Sequence, residues 1–448
     1  MTVAAAPTVA AAARDLASGR TSSEQLVEDC LARIEDPTGE GGRAFLEIDA
    51  EAARRAARAL DAMRAAGAEP SPYAGIPVSV KDLFDVRGQR TRAGSTFLDR
   101  GPAPADAAAV ARWRRAGLVL LGRTNMTEFA YSGLGLNPHF GTPAGPWDRE
   151  RGHIPGGSSS GAAVSVADAM ALGALGSDTG GSCRIPAAFC GLAGFKPTRS
   201  RVPRAGMVPL APSLDAVGVL GRSAGCCAAL YGLLREDAAA APPAPASRPP
   251  RLALGGEYFL ADADATVSAA FDRALGRLAD AGAELVDVAI PELEEIAGAS
   301  AGGGFPAAES FAWHRELIAA HGDEYDPRVI SRIRRGEGQS AADLLDLQRW
   351  RRRFEAALGS RLEGCDGLVC PTVPIVPPPL DAFADDGEYA RLNLLALRNP
   401  TVVNLFDGCA ISLPMHGAGE PPSGLMLAAL GGRDERLLGA AAWVEERL

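Results

Sequence analysis

The chain reads as an α/β protein with a β-sheet flanked by helices on both faces, and three observations carry that reading. Short apolar, β-branched runs alternate with longer helical runs between residues 45 and 288, the pattern that a sheet covered by helices produces. The chain has 448 residues, enough for one large domain or two or three smaller ones. Its composition is 47% hydrophobic and 22% charged, the balance of a sizeable core under a solvated surface.

Taken in order, residues 8–35 read as a helix in two parts. The second part opens at the capping-box pattern Thr21-Ser22-Ser23-Glu24, ahead of Leu26, Val27, Cys30, Leu31 and Ile34 at helical spacing. Phe45–Ile48 is a short strand, and the Ala/Arg-rich run from Asp49 to Ala66 is a helix closed by Gly67. Ile76–Val80 is a strand that runs into a loop at Lys81. Asp106–Ala116 is a helix, and Leu118–Gly122 a buried strand. Asn125 to Asp148 is long and turn-rich. Residues 236–250, mostly Ala and Pro, form a linker or surface loop. Beyond it come a strand at Leu252–Leu254, a helix from Val267 to Ala281 ending at Gly282, and a strand at Leu285–Val288. His314 to Leu358 is largely helical and charged, and Gly367–Pro371 returns to the sheet. No internal repeat is present.

Composition also excludes several roles. A formal net charge of −10 argues against a phosphate-backbone partner, and Arg351-Arg352-Arg353 reads as one solvated helix face. The eight cysteines are scattered with no CxxC pair, as expected of reduced, buried thiols in a cytoplasmic protein. Met1–Ala13 lacks a basic n-region and reads as a disordered start followed by a helix, not as a signal peptide. No apolar run is long enough to span a bilayer. There is no HExxH, no G-x-G-x-x-G and no Walker pattern, and the five histidines are far apart, so neither a metal nor a cofactor is expected.

Three separated stretches carry chemistry. The first is Ser177-Asp178-Thr179-Gly180-Gly181-Ser182-Cys183-Arg184-Ile185-Pro186. Its two glycines precede a serine and leave a run of unobstructed backbone N–H groups. Such a nest holds a developing oxyanion beside a nucleophile, whereas an isolated GGS is more often a simple turn. The second is Gly156-Gly157-Ser158-Ser159-Ser160-Gly161, which opens the helix-like run Ala162–Ala167. The third is Gly75-Ile76-Pro77-Val78-Ser79-Val80-Lys81-Asp82, a strand ending in a lysine. A lone lysine there usually snorkels to the surface, but a buried one loses proton affinity and can act as a base.

Lys81, Ser158 and Ser182, with their surroundings and a serine spacing of 24 (182 − 158), resemble the amidase signature family. The sequel Pro186-Ala187-Ala188-Phe189-Cys190-Gly191 and then Gly194-Phe195-Lys196-Pro197-Thr198 strengthens the resemblance. It implies one large domain over residues 1–448 with a central mixed sheet, a core of about 10–235 and 365–448, and a variable cap of about 251–364. It also implies a Ser-Ser-Lys triad in which Ser182 attacks, Ser158 relays the proton across a cis Gly157–Ser158 peptide, and Lys81 is the base. The backbone N–H groups of Thr179, Gly180, Gly181 and Ser182 would form the oxyanion hole. Asp178 and Arg184 would either brace this loop or make a plain salt bridge, and Tyr131 and Phe140 would help wall the substrate pocket. The implied enzyme is a cytoplasmic serine amidohydrolase, without cofactor, acting on a small-molecule amide such as an aryl or aliphatic primary amide. Partners would be neither nucleic acid nor membrane, and a homodimer is a common arrangement in that family.

Two departures from the family pattern stand out: Ser160 replaces a usual glycine, and Arg199-Ser200-Arg201 replaces aromatic-Gly-Arg. Two rival readings remain. Gly157-Ser158-Ser159-Ser160-Gly161 satisfies G-x-S-x-G with Ser159 as an esterase nucleophile, which needs a preceding strand and one of His314, His321 or His416. His314 and His321 read as surface residues. The other rival is the glutamine-hydrolysing component of a tRNA amidotransferase, although the Tyr-rich segment associated with it is missing from Arg332–Leu347.

Overall fold

The structure, a computed structural model, describes residues 7–235 and 246–448. Residues 1–6 of the expected disordered start and residues 236–245 of the expected linker lie outside it. Eleven strands form one mixed sheet: β1 (Phe45–Ile48), β2 (Pro77–Lys81), β3 (Val119–Thr124), β4 (Gly173–Asp178), β5 (Ala193–Lys196), β6 (Ala216–Gly221), β7 (Arg251–Leu254), β8 (Glu284–Asp287), β9 (Gly367–Pro371), β10 (Cys409–Pro414) and β11 (Gly424–Ala429). Their spatial order is β1-β3-β2-β4-β6-β5-β10-β11-β9-β7-β8.

The inner strands β2, β4, β6 and β11 are buried along their whole length. Both faces of the sheet are covered there, so polar residues such as Ser79 and Lys81 of β2 and Ser177 and Asp178 of β4 are buried as fully as their apolar neighbours. Helices cover both faces. Val78, Val80, Leu175, Val217 and Val219 pack into one core, and Val119, Leu121 and Ala174 pack into another with Ala162 and Val164 of the helix Ser160–Ala167. The edges β1 and β8 are four residues long and partly exposed, too short to offer much template for strand addition.

Of the stretch expected as a cap, residues 251–287 supply β7 and β8 to the same sheet, in parallel register beside β9. Its remainder is helical, chiefly Gly304–His321, Pro327–Arg334 and Ala341–Arg361. The second N-terminal helix is capped by Ser22, whose Oγ accepts from Gln25 N at 3.0 Å, one residue later than the capping-box pattern places it. Lys81 is the last residue of β2 and not part of a loop. His314 is fully buried, contrary to its reading as a surface residue, because it packs among Phe129, Trp313 and Tyr325. Arg351 turns inward and donates to Leu405 O and Ser213 O, while Arg352 and Arg353 face solvent. No helix among the described residues is long and apolar enough to cross a membrane.

Trp113 ties one helical layer together. It is fully buried in the helix Ala108–Arg115, and its indole N–H donates to Leu230 O at 3.1 Å in the helix Ala224–Gly232. Trp113→Ala leaves a cavity and an unpaired carbonyl, and is expected to lower the unfolding free energy by about 3–5 kcal/mol in urea titrations.

Candidate active site

Parallel pairing brings the first two pieces together. β2 and β4 run side by side in the same direction, with Val80 opposite Leu175, so both chains leave the sheet at the same end. Ligand sites of α/β sheets form at that end, beyond the carboxyl termini of the strands. Ser79 and Lys81 are two apart and share a face, and Ser79 Oγ meets Ser165 Oγ at 2.9 Å on the helix Ser160–Ala167. That helix follows the Ser158 loop. Lys81 Nζ donates to Ser158 Oγ at 2.7 Å and to Ser177 Oγ at 2.9 Å.

Lys81 is fully buried, and no carboxylate contacts its amine among the described residues. Burial pulls its pKa from the usual lysine range to about 7, against the opposing pull of Asp178 and Asp215. An amine in that condition is partly neutral near physiological pH, and its neutral form has a lone pair able to take up a proton.

The peptide between Gly157 and Ser158 is cis. The segment Thr127–Gly133 holds this peptide from both sides: Thr127 N donates to Ser158 O at 3.1 Å, and Gly157 N donates to Gly133 O at 2.8 Å. No side chain fits at Gly157, where a Cβ would lie 2.5 Å from Gly135 N. The loop is also joined to the other serine, since Ser159 N donates to Ser182 O at 3.3 Å.

The Ser182 loop is folded around one carboxylate. Asp178 Oδ1 accepts from Gly181 N (2.9 Å) and Arg184 Nη2 (2.8 Å), and Asp178 Oδ2 from Cys183 N (3.1 Å) and Arg184 Nε (3.0 Å). Burial works against the Asp178 charge, but the Arg184 guanidinium outweighs it and holds the carboxyl well below its usual range. Arg184 also donates to Pro400 O and Asn404 Oδ1, so it is committed within the protein and is not free to bind a substrate. Gly181 has φ +125° and a Cβ there would meet Pro400 Cβ at 2.6 Å, so only glycine suits the position. On the other flank, Thr179 Oγ1 donates to Asp215 Oδ1 at 2.6 Å.

These bonds bear on the N–H groups expected as oxyanion donors. Gly181 N is committed to Asp178, which leaves the N–H groups of Thr179, Gly180 and Ser182 without an acceptor among the described residues. Ser182 keeps 3% of its surface exposed. Tyr131 lies within the segment Thr127–Gly133, with its carbonyl accepting from Arg332 Nη1 at 2.6 Å, and burial pushes its hydroxyl up to about 12. Phe140 sits in a turn closed by Asn137 Oδ1 and makes no hydrogen bond or ring contact with either serine loop among the described residues. Arg199 and Arg201 are paired with Asp407 and Glu435. Ser159 is buried and reaches Ser177 O, no histidine contacts it, and no strand precedes its loop, so the nucleophile-elbow geometry is absent among the described residues.

Sequence reasoning missed Ser177 as the second partner of Lys81, Asp215 and Asn404 as supports of the Ser182 loop, and the hold of Thr127–Gly133 on the Gly157–Ser158 peptide. Ser177 was within reach, since it lies near the end of a strand that parallel pairing sets beside Lys81. The others come from distant segments with no local motif. Arg184→Leu removes one partner of a buried pair and leaves Asp178 uncompensated. It is expected to cost about 3–5 kcal/mol in equilibrium denaturation.

The chain matches known proteins over most of its length. The Amidase family model matches residues 25–438. The chain is 37% identical over 405 residues to 2-amino-5-chloromuconic acid deaminase of Comamonas testosteroni, covering 90% of this chain and 88% of that protein. It is 35% identical over 475 residues to a component of the glutamyl-tRNA(Gln) amidotransferase of Cupriavidus taiwanensis, covering 95% and 93%. A crystal structure of an amidase superposes with a TM-score of 0.89 at 32% identity, covering 99% of this chain and 100% of that one. The chain therefore belongs to the amidase signature family and is an amide-hydrolysing enzyme.

Proposed function

We propose that the protein hydrolyses a small carboxamide through an acyl-enzyme on Ser182. Ser182 Oγ attacks the carbonyl carbon and its proton passes to Ser158 Oγ, which gives its own to neutral Lys81. The tetrahedral oxyanion is held by the N–H groups of Thr179, Gly180 and Ser182. Collapse breaks the C–N bond, and the proton returns from Lys81 through Ser158 to the leaving ammonia or amine. Water then attacks the ester by the same relay and releases the carboxylate. The observation that carries this reading is the 2.7 Å contact between Lys81 Nζ and Ser158 Oγ at a lysine with burial-lowered proton affinity. Asp178 and Arg184 act as loop braces, and Tyr131 as part of the pocket wall. Eight unpaired, buried cysteines fit a cytoplasmic site of action.

A second reading, a glutamine amidase working inside a heteromeric complex, is favoured by the 35% identity to the amidotransferase component. Ammonia released from simple carboxamides by the purified chain alone supports the first reading. Release from glutamine only, and only with partner proteins added, supports the second.

The decisive test is mass spectrometry after reaction with a fluorophosphonate. Modification of Ser182, lost in Lys81→Ala, is expected; modification of Ser159 instead would overturn the assignment. Ser182→Ala should abolish hydrolysis. Because the base must be neutral, the rate should rise with pH through a midpoint near the Lys81 value of about 7 and level off above it. Below the midpoint it should fall roughly tenfold per pH unit. A flat profile between about pH 5 and 9 would exclude Lys81 as the base.

A further inference from the structure

Glu128 is a buried carboxylate that the reaction described above does not use. It is fully buried, and no lysine or arginine pairs with it among the described residues. Its Oε1 lies 3.1 Å from His139 Nε2, and its Oε2 accepts from the backbone N–H of Asp326 at 2.8 Å. Burying a carboxyl group without a fixed cation is costly, and here burial raises its proton affinity against the opposing bonds from Asp326 N and Ser95.

What surrounds Glu128 indicates what it holds. Thr127, immediately before it, donates its N–H to Ser158 O. Phe129 and Ala130, immediately after it, have φ of 48° and 61°. Non-glycine residues in that region cost about 1–3 kcal/mol each and persist only when their surroundings over-determine them. The helix Pro327–Arg334 supplies two of the restraints, Asp326 N at its N-terminus onto Glu128 and Arg332 Nη1 onto Tyr131 O. Asn393 supplies another by accepting from Gly133 N at 2.9 Å. The far end of the segment, Gly133 O, receives Gly157 N.

We propose that Glu128 is a positioning residue: through its bond from Asp326 N it seats Thr127–Gly133 against the Gly157–Ser158 peptide, and so makes the placement of Ser158 depend on the helix Pro327–Arg334. This rests on the reading of Ser182 as nucleophile and Ser158 as relay. Displacing a relay hydroxyl by about an ångström is enough to cost up to about a hundredfold in rate.

The test is the rate of fluorophosphonate modification of Ser182 across pH, in variants shown by circular dichroism to be folded. Glu128→Ala should lower the plateau rate at least about tenfold and leave the pH midpoint where it is in the wild-type protein, because the Lys81–Ser177 contact is untouched. Glu128→Gln keeps an oxygen acceptor for Asp326 N and should stay within about threefold of the wild-type protein. A second pair keeps the test decisive if Glu128→Ala does not fold. Asp326 has φ −54°, so Asp326→Pro removes the donor N–H with a compatible backbone. Asp326→Ala loses the same side chain but retains the N–H. Slow modification in the first and near-normal modification in the second are expected. Unchanged rates in Glu128→Ala and Asp326→Pro, or a Glu128→Gln rate as low as that of Glu128→Ala, would overturn this proposal and leave the nucleophile assignment standing. A pH midpoint that moves toward the ordinary lysine range would trace the loss to loosened packing around Lys81, and would overturn it too. No modification of Ser182 in the wild-type protein would overturn the nucleophile assignment and this proposal together.

Discussion

A lysine amine is buried at the end of β2 with two hydroxyls as its hydrogen-bond partners and no contacting carboxylate among the described residues. Much of the surrounding architecture follows from tolerating that arrangement. A charged amine in such a place is expensive, so the protein lowers its proton affinity and does not neutralise it with an acid. Keeping the amine dry requires strands on both sides and a helix across the face. β3 and β4 flank β2, and the helix Ser160–Ala167 lies over it through the Ser79–Ser165 contact. The same helix begins where the Ser158 loop ends, so the element that seals the lysine also delivers its partner.

The two acidic groups whose charges act on this amine, Asp178 and Asp215, are bonded to the Ser182 loop instead. Asp178 gathers Gly181 N, Cys183 N and Arg184 into one compact turn, and Asp215 holds Thr179 from the opposite flank. On the function proposed above, a loop with that many fixed donors would need little reorganisation as charge develops on a substrate oxygen, because its free N–H groups already belong to a braced frame. Asn404, from the helix Asp386–Leu405, donates to both Asp178 O and Asp178 Oδ1 and locks the turn to a segment far along the chain. Relatives that share this fold differ in the reactions their names record, a deaminase on one side and an amidotransferase component on the other. That contrast shows that the shared family does not by itself fix the reaction.

The strand and helix assignments are legible where a segment has its own period: Phe45–Ile48, the Ala/Arg-rich helix closed by Gly67, and the Leu252–Val288 strand–helix–strand unit all appear within a residue or two. Legibility fails where burial comes from distant partners. His314 reads as a surface residue in a charged helical stretch, yet aromatic residues from two other segments enclose it, and burial takes its pKa down to about 3. Arg351 sits in a run of three arginines, and only the packed helix shows that one of them turns toward Leu405 O and Ser213 O. The strands β7 and β8 are visible in sequence, but their membership of the main sheet is not, since β9, which accepts them, lies beyond several intervening helices.

From sequence alone come the three chemical stretches, their order, and the residue types at Lys81, Ser158 and Ser182. Each sits in a local pattern of glycines, serines and an apolar strand that short-range stereochemistry makes recognisable. Tertiary structure decides the rest. It sets Ser177 beside Lys81 through parallel strand pairing, removes Gly181 from the free donors by committing it to Asp178, and closes Thr127–Gly133 on the Ser158 loop. The physical reason is that a pKa and a hydrogen bond both depend on what lies within a few ångströms, and at this site those neighbours come from segments far apart in the chain.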